Sequence, residues 1–256
     1  MKPAIVFPFH DPDGVMYPHL ISITPILKQS FSEAFLSITP ITNASCPENV
    51  EQLKRDSYFK LFFLEKDLPV GKHFLSLYEF ATRSCSPQKV LHLCFIDRVV
   101  FALRTNHQIQ FIEDVISLNG KSSPVIIQRS TKAWNTHPRN YYEIERFITT
   151  IGELVLGQSL DFAWCHLVIC SSQLADVLPH VQSDDWGMVA EIILLIRSEI
   201  TTQDVDWLEW EDPFFSSYSA AELKRIREAN TQETQKRLSY AIPMVQKILE
   251  CRDEKF

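Results

Sequence analysis

The stretch AIVFPFHDPDG, Ala4 to Gly14, sets the reading of the whole chain. An apolar run of β-branched and aromatic residues breaks without transition into His10, Asp11, Pro12, Asp13 and Gly14. The run reads as a buried strand, and Asp-Pro-Asp-Gly as the turn that ends it. A helical pattern over Tyr17–Gln29 follows. Strand, polar turn and helix together open an α/β unit, and what decides the class is whether they recur.

They do recur. Further strands are expected at Ala34–Ile38, Val90–Ile96, Val125–Gln128 and Phe162–Cys170, with helical patterns at Gly71–Arg83 and Tyr141–Leu156. VVFALR (99–104) fits strand or helix equally. Asp185–Glu199 reads as a buried helix capped by Ser183 or Asp184, and DWLEWEDPFFSSYS (206–219) as strand plus loop. A long helical pattern from Ala220 to Cys251 contains Pro243, which should kink or split it. The expected architecture is a mainly parallel sheet flanked by helices. One domain over residues 1–215 would carry it, followed by a helical extension over 216–256.

Composition narrows the function. The chain has 256 residues, 45% of them apolar, and a formal charge of -7. It can bury a real core, and its charge argues against a general nucleic-acid surface. No apolar run approaches the ~20 residues that span a bilayer, and MKPAIVFPFHD lacks a signal peptide's apolar core, so a cytoplasmic protein is expected. Six cysteines form no CxxC pair and read as reduced thiols. The six glycines provide no GxGxxG. GELVLGQS (152–159) mimics a P-loop but has Gln158 where the phosphate-binding lysine must stand. No GxSxG or HExxH occurs.

What remains is polarity at strand ends. In an open parallel sheet, ligands bind beyond the carboxyl ends of the strands. His10, Asp11 and Asp13 follow the first strand, Asp97 and Arg98 end LHLCFIDR, and Arg129, Ser130 and Thr131 end SPVIIQRST. Each group alone has a plain reading: a turn, a local ion pair, a solvated arginine. Together they point to one rim. KAWNTHPRNYYEIERF (132–147) adds Trp134, His137, Arg139 and Glu145. In SDDWGMVAE (183–191), capping accounts for one aspartate and leaves Asp185. Trp207 and Trp210 are either core or platforms for sugar faces.

These motifs, in their order and spacing, resemble the majastridin-like family of bacterial glycosyltransferase-like proteins. The similarity rests on HDPDG (10–14), Asp97-Arg98, RSTKAWNTHP with Glu145, DDW (184–186), VDWLEWED (205–212) and the closing helix. It implies a GT-A fold, with a nucleotide-binding part over about 1–130 and an acceptor part over 131–215. The implied function is transfer of a sugar from a nucleotide-diphosphate sugar to an unknown acceptor; a catalytically degenerate relative is the alternative. On this resemblance His10, Asp11, Arg98 and Arg129 bind the nucleotide sugar, and Asp97 and His137 hold Mn²⁺ or Mg²⁺. Asp185 is the catalytic carboxylate. The family's metal motif has an aspartate two positions before Asp97, where this chain has Phe95. Assembly into a homo-oligomer is left open.

Overall fold

Ala4–Phe9 forms β1, and every residue except Pro8 is buried. A strand covered on both faces needs apolar residues throughout rather than alternation, and this run supplies them. Its side chains divide by parity, as the pleat requires. Ile5, Phe7 and Phe9 join one core cluster, and Ala4 and Val6 the other. The fold is described by a computed structural model over residues 2–121, 123–164, 166–210 and 217–253.

Seven strands make one sheet. They are β1, β2 (Ala34–Ile38), β3 (Phe59–Phe63), β4 (Val90–Leu93), β5 (Val125–Arg129), β6 (Leu167–Cys170) and β7 (Thr201–Val205). The order is β3-β2-β1-β4-β6-β5-β7. All neighbours are parallel except at β6, which runs against both β4 and β5. Helices α1 (Met16–Ser30), α2 (Pro40–Ser45), α3 (Pro47–Arg55), α4 (Val70–Ser84), α5 (Ile96–Arg104) and α6 (Gln108–Leu118) accompany the first five strands. Helices α7 (Thr131–Thr136), α8 (Arg139–Leu156), α9 (Ser171–Val177), α10 (Gly187–Leu195), α11 (Ala220–Ala229) and α12 (Thr231–Asp253) complete the chain. Leu20, Ile23 and Leu27 of α1, Val99 and Val100 of α5, and Phe111 of α6 cover one sheet face. Phe74 and Leu77 of α4, Ile148 of α8, Ile192 of α10 and Met244 of α12 cover the other. The molecule is therefore mixed α/β, with a mostly parallel sheet between helical layers and a helical C-terminal part.

Several expected boundaries move. The third expected strand stops at Leu93, and Ile96 already opens α5, which decides VVFALR as helix. Asp97 and Arg98 thus sit in a first helical turn, where an acidic side chain favours the helix dipole. The fifth expected strand shrinks to Leu167–Cys170, and Phe162–Trp164 is a single 3₁₀ turn. The helix expected from Asp185 begins at Gly187 and ends at Leu195, and neither Ser183 nor Asp184 caps it. The strand expected within 206–219 lies just before it, as β7, and 211–216 fall outside the described residues. Pro243 does not split the last helix; the chain breaks at Asn230 instead. A proline inside a helix costs roughly 3 kcal/mol, and burial of the neighbouring Ala241, Met244 and Ile248 offsets it. Edge strand β3 was unexpected because Lys60 interrupts its apolar pattern and stays exposed, a common property of edges.

The reversal of β6 has a visible cause. Gly157 ends α8 in the left-handed conformation (φ 70°). The chain then brings Asp161 to Arg129 at the carboxyl end of β5, with the Asp161 carboxylate 2.7 Å from both Nε and Nη2. It brings His166 Nε2 to the Phe95 backbone N–H at the end of β4, 3.4 Å away. Pinned to the carboxyl rim at both points, the next strand can only run back from it.

Candidate functional site

The chain steps outward from β1 to β2 and β3, then crosses back to β4 on the other side of β1. The gap beyond the carboxyl ends of β1 and β4 is the topological switch point, where open α/β sheets bind ligands. His10 and Asp11 lead out of β1, and Phe95 and Asp97 out of β4.

Asp11 is buried, and both carboxylate oxygens are committed: Oδ1 accepts from the Met16 N–H at 3.0 Å and Oδ2 from Tyr17 at 2.9 Å. Its carboxylate therefore holds the first turn of α1, which is the turn reading of HDPDG. His10 is exposed, with Nδ1 3.0 Å from Thr39 Oγ1 at the end of β2. His73 of α4 stands beside it, its Nε2 2.5 Å from Ser37 Oγ. Burial first, and then the nearby His10, lower the His73 pKa. The lip over β1 and β2 is thus a polar cluster of imidazoles and hydroxyls.

Arg98 is wholly buried, with Nε and Nη2 each 3.1 Å from Asp97 Oδ2, while its Nη1 donates to the Glu209 carbonyl at 3.1 Å. Arg129 is equally enclosed. Besides the fork onto Asp161, its Nη1 lies 2.5 Å from Glu145 Oε2, and its guanidinium lies 3.4 Å from the Trp134 ring centre. Glu145 Oε1 in turn accepts from Arg237 Nη1 of α12 at 2.9 Å. One carboxylate therefore bridges two guanidinium groups.

A cavity of about 210 Å³ opens at the end of β4. Its wall consists of Phe95, Asp97, Glu145, Ile148, Ala163, Trp186, Arg237, Tyr240 and Met244. Of the expected site residues, Asp97 is on this wall. Arg98 and Arg129 stand one contact behind it, through Asp97 and Glu145. Asp185 precedes the wall residue Trp186; it is exposed, and its Oδ1 accepts from the Gly187 N–H at 2.8 Å. Gly71 fixes this segment: its N–H donates to the Asp184 carbonyl at 2.9 Å, and a Cβ there would lie 2.5–2.7 Å from the backbone of Asp184 and Asp185. The start of α4, two residues before His73, thus approaches Asp185 closely only because residue 71 is glycine.

His137 is buried and is not among the residues that line the cavity. Its Nδ1 faces the Ala133 carbonyl at 2.9 Å. Burial, and then the charges of Arg129, Arg98 and Arg237, hold its pKa well below the usual imidazole value, with only the Ala133 bond opposing them. The donor set does not fit a divalent cation. Asp97 is paired with Arg98, both oxygens of Glu145 are paired with arginines, and three guanidinium groups bear on His137. Among the described residues, no group of three His, Cys, Asp or Glu side chains gathers where a metal could sit. Trp207 is core, its Nε1 donating to Asp114 at 2.9 Å. Trp210 lines a second, wider groove of about 580 Å³ with Phe101, Arg104 and Lys224.

Sequence reading passed over Asp161, Arg237 and Tyr240. Arg237, Tyr240, Met244 and Ile248 share one helical face, and that spacing was the available signal. It also passed over His92 and His166, whose ring centres lie 5.8 Å apart in the core beneath the rim. Burial pushes His92 down to about 4, and His166 falls well below the usual value through burial, His92 and Arg98. Above pH ~6.5 both are neutral in the folded and unfolded chains alike. As pH falls through 6.5 the unfolded chain takes up protons first, so stability is lost from there down to about 4. The slope is on the order of 1 kcal/mol per pH unit per histidine. Urea unfolding midpoints from pH 7.5 to 4.5 should fall, and His92→Phe should flatten the decline; an unchanged slope would refute the assignment.

Comparison with solved structures finds S. aureus TarS, residues 1–349. The likeness has a TM-score of 0.46 and 10% identity, over 98% of this chain and 72% of that one. No family model matches the chain, and no curated protein sequence does. The mixed α/β architecture is evident from the strand order itself. Among the described residues, no helix is long and apolar enough to cross a membrane.

Proposed function

We propose that the protein is a GT-A-like glycosyltransferase that takes a nucleotide-diphosphate sugar and transfers the sugar to an acceptor hydroxyl. The observation that carries this reading is the cavity beyond the carboxyl end of β4, where Asp97, Glu145 and Arg237 share a wall with Phe95, Trp186 and Tyr240. Aromatic faces with a few convergent polar groups suit a sugar ring. The sequence resemblance points the same way.

On this reading the exposed His10 borders the nucleotide, held by Thr39, while Asp11 acts indirectly by fixing the lip. Arg98 and Arg129 act through the carboxylates they hold. The acceptor oxygen forms its bond to the anomeric carbon as the bond from that carbon to the diphosphate breaks. The diphosphate leaves with the electron pair, and Asp185 takes the hydroxyl proton. Trp210 and its groove are offered to the acceptor.

A panel of nucleotide sugars incubated with the purified protein tests the proposal by release of nucleoside diphosphate. Turnover of at least one donor, well above a blank, is expected. Saturable binding without turnover would make the protein a degenerate nucleotide-binding relative. Absence of both binding and turnover across the panel would overturn the reading.

A further inference from the structure

The last helix is part of the cavity rather than an appendage to it. Helix α12 packs on α8 and α10 and contributes three wall residues, Arg237, Tyr240 and Met244. Among the described residues, Arg237 is the one cationic side chain in that wall. It is held by Glu145 at Nη1 and by the Tyr141 ring, 3.8 Å from its guanidinium carbon. Among the described residues its buried Nε has no hydrogen-bond partner, although the side chain also bonds Tyr141 and as a whole remains 30% exposed. Buried donors of this kind are rare unless something else satisfies them.

The wall also contains the start of α5, at Phe95 and Asp97, and the residue just before α10, Trp186. The positive ends of two helix dipoles therefore meet the same cavity, and that arrangement favours an anion. The carboxylates that would attract a cation are already neutralised by Arg98, Arg129 and Arg237.

We infer that the diphosphate of the donor is neutralised here by Arg237 and the two helix starts, so that nucleotide binding needs no divalent metal. This rests on the reading that the rim takes a nucleotide-diphosphate sugar. A guanidinium that still presents part of its surface to the cavity can donate to phosphate oxygens. A divalent cation, in contrast, would find both Glu145 oxygens and Asp97 Oδ2 already held by arginines, leaving Asp97 Oδ1 as its anchor on these two carboxylates.

Calorimetric titration with UDP, GDP, ADP, CDP and dTDP, each in EDTA and in Mn²⁺, provides the test. The nucleotide that binds should do so in EDTA with a Kd within about threefold of its Mn²⁺ value. Arg237→Gln should weaken it about tenfold or more, with Arg237→Lys in between. Thermal melting identifies a variant that has failed to fold, and the EDTA comparison on the unaltered protein needs no variant. Binding seen only with Mn²⁺ would overturn this inference and leave the proposed function standing. Unchanged affinity in folded Arg237→Gln would also overturn it. No nucleotide bound under either condition would remove the proposed function and this inference together.

Discussion

Asp161→Ala is expected to destabilise the protein by about 3–5 kcal/mol, because it leaves a buried guanidinium without its main partner. Arg129 has no exposed side-chain surface, and Asp161 is 4% exposed. The fork between them, at 2.7 Å on both arms, replaces the water that Arg129 gave up. Glu145 alone cannot compensate, since it is shared with Arg237. Most surface pairs behave differently. Arg83–Glu79, with side chains 78% and 48% exposed, should contribute only about 0–1 kcal/mol. Urea denaturation followed by circular dichroism measures both. A loss below about 1 kcal/mol for Asp161→Ala would mean that the pair is not needed. Replacing Arg129 and Asp161 together by apolar residues should recover much of the loss, because no orphaned charge then remains.

Asp185→Asn should lower kcat for sugar transfer by about 10²–10⁴-fold, the usual value of a positioned general base. Stability should change little, within ~0.5 kcal/mol, because an asparagine oxygen can accept the Gly187 N–H as the aspartate does. The two readouts separate roles: a purely capping aspartate would leave kcat within a few-fold of normal. The assay is the donor turnover defined above, with thermal melting alongside.

Much of the sheet was legible from local pattern. Ala4–Phe9 is an unbroken apolar run and Ala34–Ile38 is apolar except at Ser37, and they form strands with the bounds read from sequence. The helices after β1 and before β4 extend only one residue beyond their expected limits at each end. The edges were less visible. Strand β7, TTQDV, is largely exposed and is held by ladder hydrogen bonds to β5 rather than by burial. A pattern of hydropathy carries little trace of such a strand.

The site was legible in part. Asp97 reached the cavity wall, and the DDW segment delivered Trp186 to it. Asp11, by contrast, spends both oxygens on α1, and its role as a cap could have been read from the turn residues alone. Arg129 read as a solvated or ligand-binding arginine, yet it is buried between Asp161 and Glu145. These partners lie 32 and 16 positions away, and no local pattern names them.

The sequence by itself determined the class of this protein: apolar runs long enough to be strands, helical periods between them, and charge at the strand ends. Those features depend on neighbours within a few residues, where pleat and helical pitch govern. Only the tertiary structure decided that β6 runs backwards and that α12 walls the cavity. It alone decided which charges cancel before any ligand arrives. Those outcomes depend on pairs such as Arg129–Asp161 and Glu145–Arg237, whose energy comes from shared burial. Shared burial exists only once distant segments have met.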